Sequence, residues 1–251
     1  MVHSELQIDK CFPIPTQTSI SDKNFLLNAI EWINQHKDNY AFVEIGSFLG
    51  GSIAPFLMDS RCTLALSIDE RERLLDDERG AKFDYSGITS QTMINNLSAH
   101  GISTVKLKIF DGAIDLMQVL PQAFDLAFID GEHTDFACFR DFIWLLPMMK
   151  ADAVVMFHDS TLIYKTLRLV QLYLKKFNIP FQFIKKENSE MSAIFLGAFA
   201  NADITSVFGA VENPQEFYLA AENSVINHLL KNRIVFQYSA KIIPAKTQRS
   251  F

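Results

Sequence analysis

Two hydrophobic periods alternate along this chain. Short, predominantly apolar runs occur at Tyr40–Ile45, Thr63–Ile68, Thr104–Phe110, Phe124–Ile129 and Ala153–Phe157, and each stops at Gly or Asp, or in the last case at His158-Asp159. Runs of this kind predict parallel strands buried on both faces. Helical spacing fills the intervals. Phe25, Leu26, Ile30 and Ile33 predict a helix over 22–37, with Ser21 and Asp22 able to cap it. Further helices are expected over 51–59, 90–100, 113–120, 136–149 and 162–177. Residues 1–18 are expected to be irregular, because Pro13 and Pro15 interrupt regular backbone. The charged stretch 70–87 reads as a solvated loop or short helix. Phe181–Ile184 and Ala193–Phe199 flank a short polar segment, which suits an antiparallel hairpin. A helix over 214–231 and a strand over 234–238 close the chain.

Strand and helix in alternation predict an α/β fold with a doubly wound, Rossmann-like sheet. Seven strands are expected, mostly parallel with a C-terminal antiparallel strand, plus a C-terminal α/β extension. The domain reading is an N-terminal segment over 1–21, a main domain over 22–200, and an extension over 201–251 that serves dimerisation or acts as a lid.

Composition narrows the function classes. Of 251 residues, 49% are hydrophobic and 21% charged, which supports one sizeable core. The 22 Phe residues point to an aromatic core, an apolar pocket or a buried interface. The formal net charge is −6 and Lys and Arg form no long run, which argues against a nucleic-acid partner. Cys11, Cys62 and Cys138 are widely spaced and odd in number, so free thiols are expected. No signal peptide or membrane span is expected. The expectation is a cytoplasmic homo-oligomer acting on a small molecule.

In an open parallel sheet, ligands bind beyond the carboxyl ends of the strands. Those ends hold Glu44 with Gly46–Gly51, Asp69, Asp111-Gly112, Asp130–His133 and His158-Asp159. The first turn reads Glu44-Ile45-Gly46-Ser47-Phe48-Leu49-Gly50-Gly51-Ser52. A dinucleotide fingerprint requires Gly where Phe48 stands, and a phosphate-cradling loop requires a Lys that is missing here. What remains is a small-residue turn beside an acid, suited to an uncharged or cationic ligand. Asp69, at the next strand end, is placed to accept hydrogen bonds from a ribose.

Glu44-x-Gly46-x-x-x-Gly50 followed by Asp69 resembles the first motifs of class I S-adenosylmethionine-dependent methyltransferases. Asp111-Gly112-Ala113 resembles that family's adenine-flanking loop. Asp130-Gly131-Glu132-His133 and His158-Asp159 are similar to a narrower group, the macrocin O-methyltransferase and cephalosporin-hydroxylase-like proteins, in which an acid on the next helix, here Asp141, supports the loop. The resemblance implies S-adenosylmethionine held by Glu44, Gly46, Ser47, Phe48, Gly50, Gly51, Ser52, Asp69, Asp111, Gly112, Ala113 and Asp130. It also implies methyl transfer to a hydroxyl.

His133, whose type titrates near neutrality, is the expected general base, with Asp130 beside it. Asp130, His158 and Asp159 are the expected ligands of a divalent cation, Mg or Mn. Plainer readings stand beside these: a tight turn for Asp130–His133, a packed histidine for His158, and a helix cap for Asp159. Two other functions fit the same pattern: a metal-dependent hydroxylase-like enzyme, and a non-catalytic cofactor-binding subunit.

Overall fold

A computed structural model of the chain describes residues 4–71, 74–76, 82–118 and 120–231. The strands are β1 (Tyr40–Ile45), β2 (Cys62–Asp69), β3 (Leu74–Asp76), β4 (Lys82–Asp84), β5 (Leu107–Asp111), β6 (Phe124–Ile129), β7 (Met149–Phe157), β8 (Phe181–Lys185) and β9 (Ser192–Leu196). The helices are α1 (Glu5–Cys11), α2 (Ile20–His36), α3 (Ala54–Met58), α4 (Ser90–Ala99), α5 (Asp135–Leu145), α6 (Tyr164–Lys176), α7 (Thr205–Phe208) and α8 (Pro214–Lys231).

Seven strands form one sheet in the order β5-β2-β1-β6-β7-β9-β8. Pairing is parallel from β5 to β7, and β9 runs antiparallel between β7 and β8. This is the Rossmann-like sheet expected from the sequence, with the hairpin inserting its second strand next to β7. All six residues of β1 and of β6 are buried. The strand order reverses between these two strands, so the crevice at their carboxyl ends is the ligand-binding position of such a sheet.

Helices cover both faces. On one face, Phe25, Trp32, Phe42, Phe56 and Phe195 pack under the N-terminal helices, with the Phe42 and Phe56 rings stacked at 3.6 Å. On the other, Phe142, Phe157, Leu167 and Leu174 pack under α5 and α6, where Phe217 and Ala221 of α8 join them. Many of the Phe residues thus build the core. At the opposite end of the sheet from the crevice, the buried Asp125 carboxylate accepts from Lys37 Nζ (2.6 Å), Lys150 Nζ (2.8 Å) and the Ala41 amide (2.9 Å).

Several expectations are corrected. Residues 5–11 are helical, not irregular: Ser4 caps the helix and Ile8 is buried, so packing stabilises a segment too short to be helical alone. Within 70–87, β3 and β4 pair as an antiparallel hairpin. The helix expected over 113–120 is only a 3-10 turn, Ile114–Leu116. The helix expected over 136–149 ends at Leu145, and Pro147 sits in a 3-10 turn before β7. The cap of α2 is Ser19, and Asp22 is the third residue of its capping box. The strand expected over 234–238 lies outside the described residues. Among those residues, no helix is long and apolar enough to cross a membrane.

Candidate active site

The crevice opens into a partly enclosed cleft at the carboxyl ends of the strands. Its wall includes the turn after β1, Asp69 to Arg71 after β2, Gly112 to Ile114 after β5 and Asp130 to His133 after β6. All these sequence-predicted segments therefore meet in one place. Asp159 belongs to the same group through His133 and His158.

The turn after β1 is shaped by backbone that side chains disfavour. Gly46 and Gly50 both have φ of +90°. A Cβ on Gly46 would overlap the Asp130 carbonyl oxygen and lie 2.7 Å from Gly131 Cα. Glycine thus lets the ends of β1 and β6 close on each other. Phe48 is left-handed too, with φ of +45°. Its amide donates to Asp69 Oδ2 at 2.9 Å, locking the turn to the end of β2.

Glu44 lies beneath the turn with no exposed surface. Burial pushes its carboxyl up to about 8. The Ser52 and Ser47 hydroxyls lie near enough to pull it partly back, yet neither carboxylate oxygen has a hydrogen bond of ordinary geometry. A buried acid with both oxygens unsatisfied is costly to keep without a partner.

Asp69 is mostly buried, and burial raises its carboxyl against the opposing pull of Arg71. Arg71 bridges the ends of β2 and β5: Nη1 bonds Asp111 Oδ1 at 2.6 Å and Nη2 bonds Ser67 Oγ at 2.8 Å. Asp111 also accepts from Ser90 Oγ at 2.6 Å and is half exposed. The Gly112 amide donates to the Asp69 carbonyl, and Ala113 is buried beside it.

The other half of the site is a histidine-carboxylate group. His133 Nε2 lies 3.2 Å from Asp159 Oδ2. His158 Nδ1 lies 3.0 Å from Asp130 Oδ1 and 3.1 Å from Asp159 Oδ2, while its Nε2 faces Asp22 Oδ2 at 3.4 Å. Burial opposes charge on His158, but Asp130, Asp159 and Asp22 outweigh it and hold the imidazole well above its ordinary value. Burial raises Asp130 despite His158; burial also acts on Asp159, but His158 and His133 hold it below the usual range. Asp159 has a left-handed φ of +49°, and its side chain does not cap α6. Asp141, raised to about 6 by burial against its Arg140 partner, lies under Gly131 and so under the Asp130–His133 loop.

Atoms of Asp130, His133 and Asp159 lie within 4.8 Å of one another, a spacing that fits one metal ion. His158, grouped with the ligands in the sequence, has both ring nitrogens turned to carboxylate oxygens instead.

Sequence reasoning missed four contributors. Pro15–Thr18 walls the cleft, and a Cβ on Gly51 would meet the Ile14 and Pro15 carbonyl oxygens. Arg71 and Tyr85 line it from the charged stretch, Tyr85 packing edge-on to Phe48 at 5.5 Å. Asp22 reaches the histidine group from α2. No local pattern marks these residues as parts of one site.

Residues 43–160 match the sequence model of a methyltransferase domain family. This segment is a methyltransferase domain. It runs from within β1 to just beyond β7 and so contains the glycine turn, Asp69, Asp111, Asp130, His133 and Asp159. Among solved structures, the O-methyltransferase NovP is similar with a TM-score of 0.55 at 14% identity, over 71% of this chain and 80% of that one. The O-methyltransferase TomG from Streptomyces achromogenes, solved with S-adenosylmethionine, gives 0.51 at 15% identity, over 76% and 87%. At such identities the likeness is one of fold: the class I methyltransferase fold. The uncharacterised protein R132 of Acanthamoeba polyphaga mimivirus is 25% identical over 124 residues, 49% of this chain. That match spans about half of the relative, 52% of its length.

Proposed function

We propose that this chain is an S-adenosylmethionine-dependent O-methyltransferase whose acceptor is a hydroxyl of a small molecule, of natural-product, sugar or phenol type. The observation that carries the reading is the meeting, in one cleft of a methyltransferase domain, of a glycine turn over an orphaned buried acid with a histidine-carboxylate group.

The residues fit the cofactor. Glu44 supplies a buried carboxyl for a cationic ligand, and Gly46, Ser47, Phe48, Gly50, Gly51 and Ser52 form the close-fitting turn. Asp69 would hold the ribose, and Asp111, Gly112 and Ala113 would flank the base. When bound, S-adenosylmethionine supplies an electrophilic methyl on sulfur. The chain's own work is to align an acceptor oxygen with that methyl and remove its proton. Alignment is worth up to roughly 7–11 kcal/mol in ideal geometry. His133 takes the proton, and Asp159 at 3.2 Å orients its ring, the arrangement expected of a base held by a third group.

A second reading is favoured by the spacing of Asp130, His133 and Asp159. An imidazole with two carboxylates suits Mn²⁺ better than Mg²⁺. Those residues would then hold the ion, which would lower the pKa of an acceptor hydroxyl.

Calorimetric titration of the pure protein with S-adenosylmethionine, followed by labelled methyl transfer to a panel of hydroxyl compounds, tests the proposal. Saturable binding and label in an ether product are expected. A folded protein that binds no cofactor ends it.

A further inference from the structure

Asp22 lies outside the methyltransferase segment, on the first turn of α2, yet it is tied to the site from three directions. Its Oδ2 accepts from the Ser19 amide (2.9 Å) and hydroxyl (2.7 Å), which fixes the carboxylate to the helix start. The same oxygen faces His158 Nε2 at 3.4 Å. Its Oδ1 accepts from Ser189 Oγ (2.6 Å) and the Glu190 amide (2.9 Å), in the turn between β8 and β9. The Glu190 carboxylate reaches back to the Thr161 amide (3.0 Å) and hydroxyl (3.1 Å), just after Asp159. Ser160 Oγ closes the ring on the Glu190 carbonyl at 2.8 Å.

Asp22 and Ser189 are almost wholly buried, with 2% and 8% of their surface exposed. Burying a carboxylate is costly, and an apolar contact would join α2 to the hairpin at less cost. The network does not end in the interior. It passes through His158 to Asp130 and Asp159, and from Asp159 to His133. Its far end is the Asp130–His133 wall of the cleft. It also holds Asp159 at a left-handed φ that needs support from its surroundings.

We infer that Asp22 is a positioning residue: with the β8–β9 turn it braces the His158 ring, and His158 in turn sets the carboxylates that orient His133. The chain outside the matched domain thus supplies the support for the base. This rests on the proposed role of His133, but the geometry it invokes is readable without any acceptor.

The test is the side-chain nitrogen NMR spectrum of the histidines, assigned with His133→Gln, in Asp22→Asn and Ser189→Ala. Asp22→Asn keeps the shape and removes the charge. Ser189→Ala removes one of the hairpin's two bonds to Asp22 and is the milder change. His133, linked to Asp22 through Asp159 and His158, is expected to shift in both, more in Asp22→Asn. His36 and His100, bonded to the Trp32 and Asn96 carbonyls, serve as internal references and stay in place. Affinity for S-adenosylmethionine stays within about threefold of the wild type, since the glycine turn is untouched. Variants that are folded and leave His133 unmoved overturn the inference; so does movement of His36 and His100 along with His133, which would mark general loosening. Lack of cofactor binding by the wild type would sink the proposed function instead, and the two failures are read from different measurements.

Discussion

Gly46 and Asp130 are in such close contact that a single added carbon would separate them. A Cβ at Gly46 would overlap the Asp130 carbonyl oxygen, so the turn that lines the cleft and the strand end that carries the acid are held as one unit. The Asp130 amide already donates to the Ile45 carbonyl at 2.8 Å, which leaves no slack.

Gly46→Ala should therefore act on both halves of the site. The left-handed backbone alone costs a non-glycine residue about 1–2 kcal/mol, and the steric overlap adds to it. Thermal melts should show the loss of stability, and calorimetry a loss of cofactor affinity of tenfold or more. An alanine variant that melts and binds like the wild type would show that the two strand ends are not so tightly joined.

Glu44 makes stability pH-dependent in a definite direction. Burial raises its carboxyl to about 8, so the folded protein holds this proton more tightly than the unfolded chain does. Its contribution is complete below the usual carboxylate range and fades as pH rises through about 8. Denaturant midpoints of the cofactor-free protein should fall from roughly pH 5 to pH 8, and Glu44→Gln should flatten that slope. Binding of a cationic ligand near neutral pH should release a proton, visible as a dependence of the calorimetric heat on buffer ionisation. No buffer dependence would remove Glu44 from the cofactor's cationic end.

His133→Ala should lower methyl transfer by roughly 10²–10⁴-fold while cofactor affinity holds. Asp159→Asn should lower it less, because it removes the orienting partner and leaves the base. Equal rates for His133→Ala and wild type would take the base role away.

Chelation separates the two readings of Asp130, His133 and Asp159. Activity that survives exhaustive treatment with a chelator supports His133 as base. Activity lost on chelation and restored by Mn²⁺, together with loss of Mn²⁺ binding in His133→Ala, moves His133 into a ligand set.

Asp125 offers a stability test remote from the cleft. Asp125→Ala leaves the Ala41 amide without its acceptor in the interior and should cost about 1–3 kcal/mol, with cofactor affinity unchanged. The folded Asp125 carboxyl lies below the usual range, because Lys150, Lys37 and the Ala41 amide outweigh its burial. Its contribution is present at neutral pH and is lost as pH falls through that depressed value.

The sequence alone determined the sheet, the glycine turn and the acids at the strand ends. These are local signals: a strand covered on both faces must be apolar along its length, and a turn that strands close over must be small. The fold brings these strand ends together at one crevice, with Asp69 and Asp130 in its wall and Glu44 buried beneath the turn. Short elements such as α1 and the β3–β4 hairpin were decided by tertiary packing, because too few residues contribute for local preference to prevail. The same holds for the walls of the cleft. Asp22 and His158 are 136 residues apart, and no periodicity links the first turn of a helix to a strand end across that distance. Whether His158 is a metal ligand or a brace depends on what faces its two nitrogens, and that is fixed only when α2 and the β8–β9 turn fold against the end of β7.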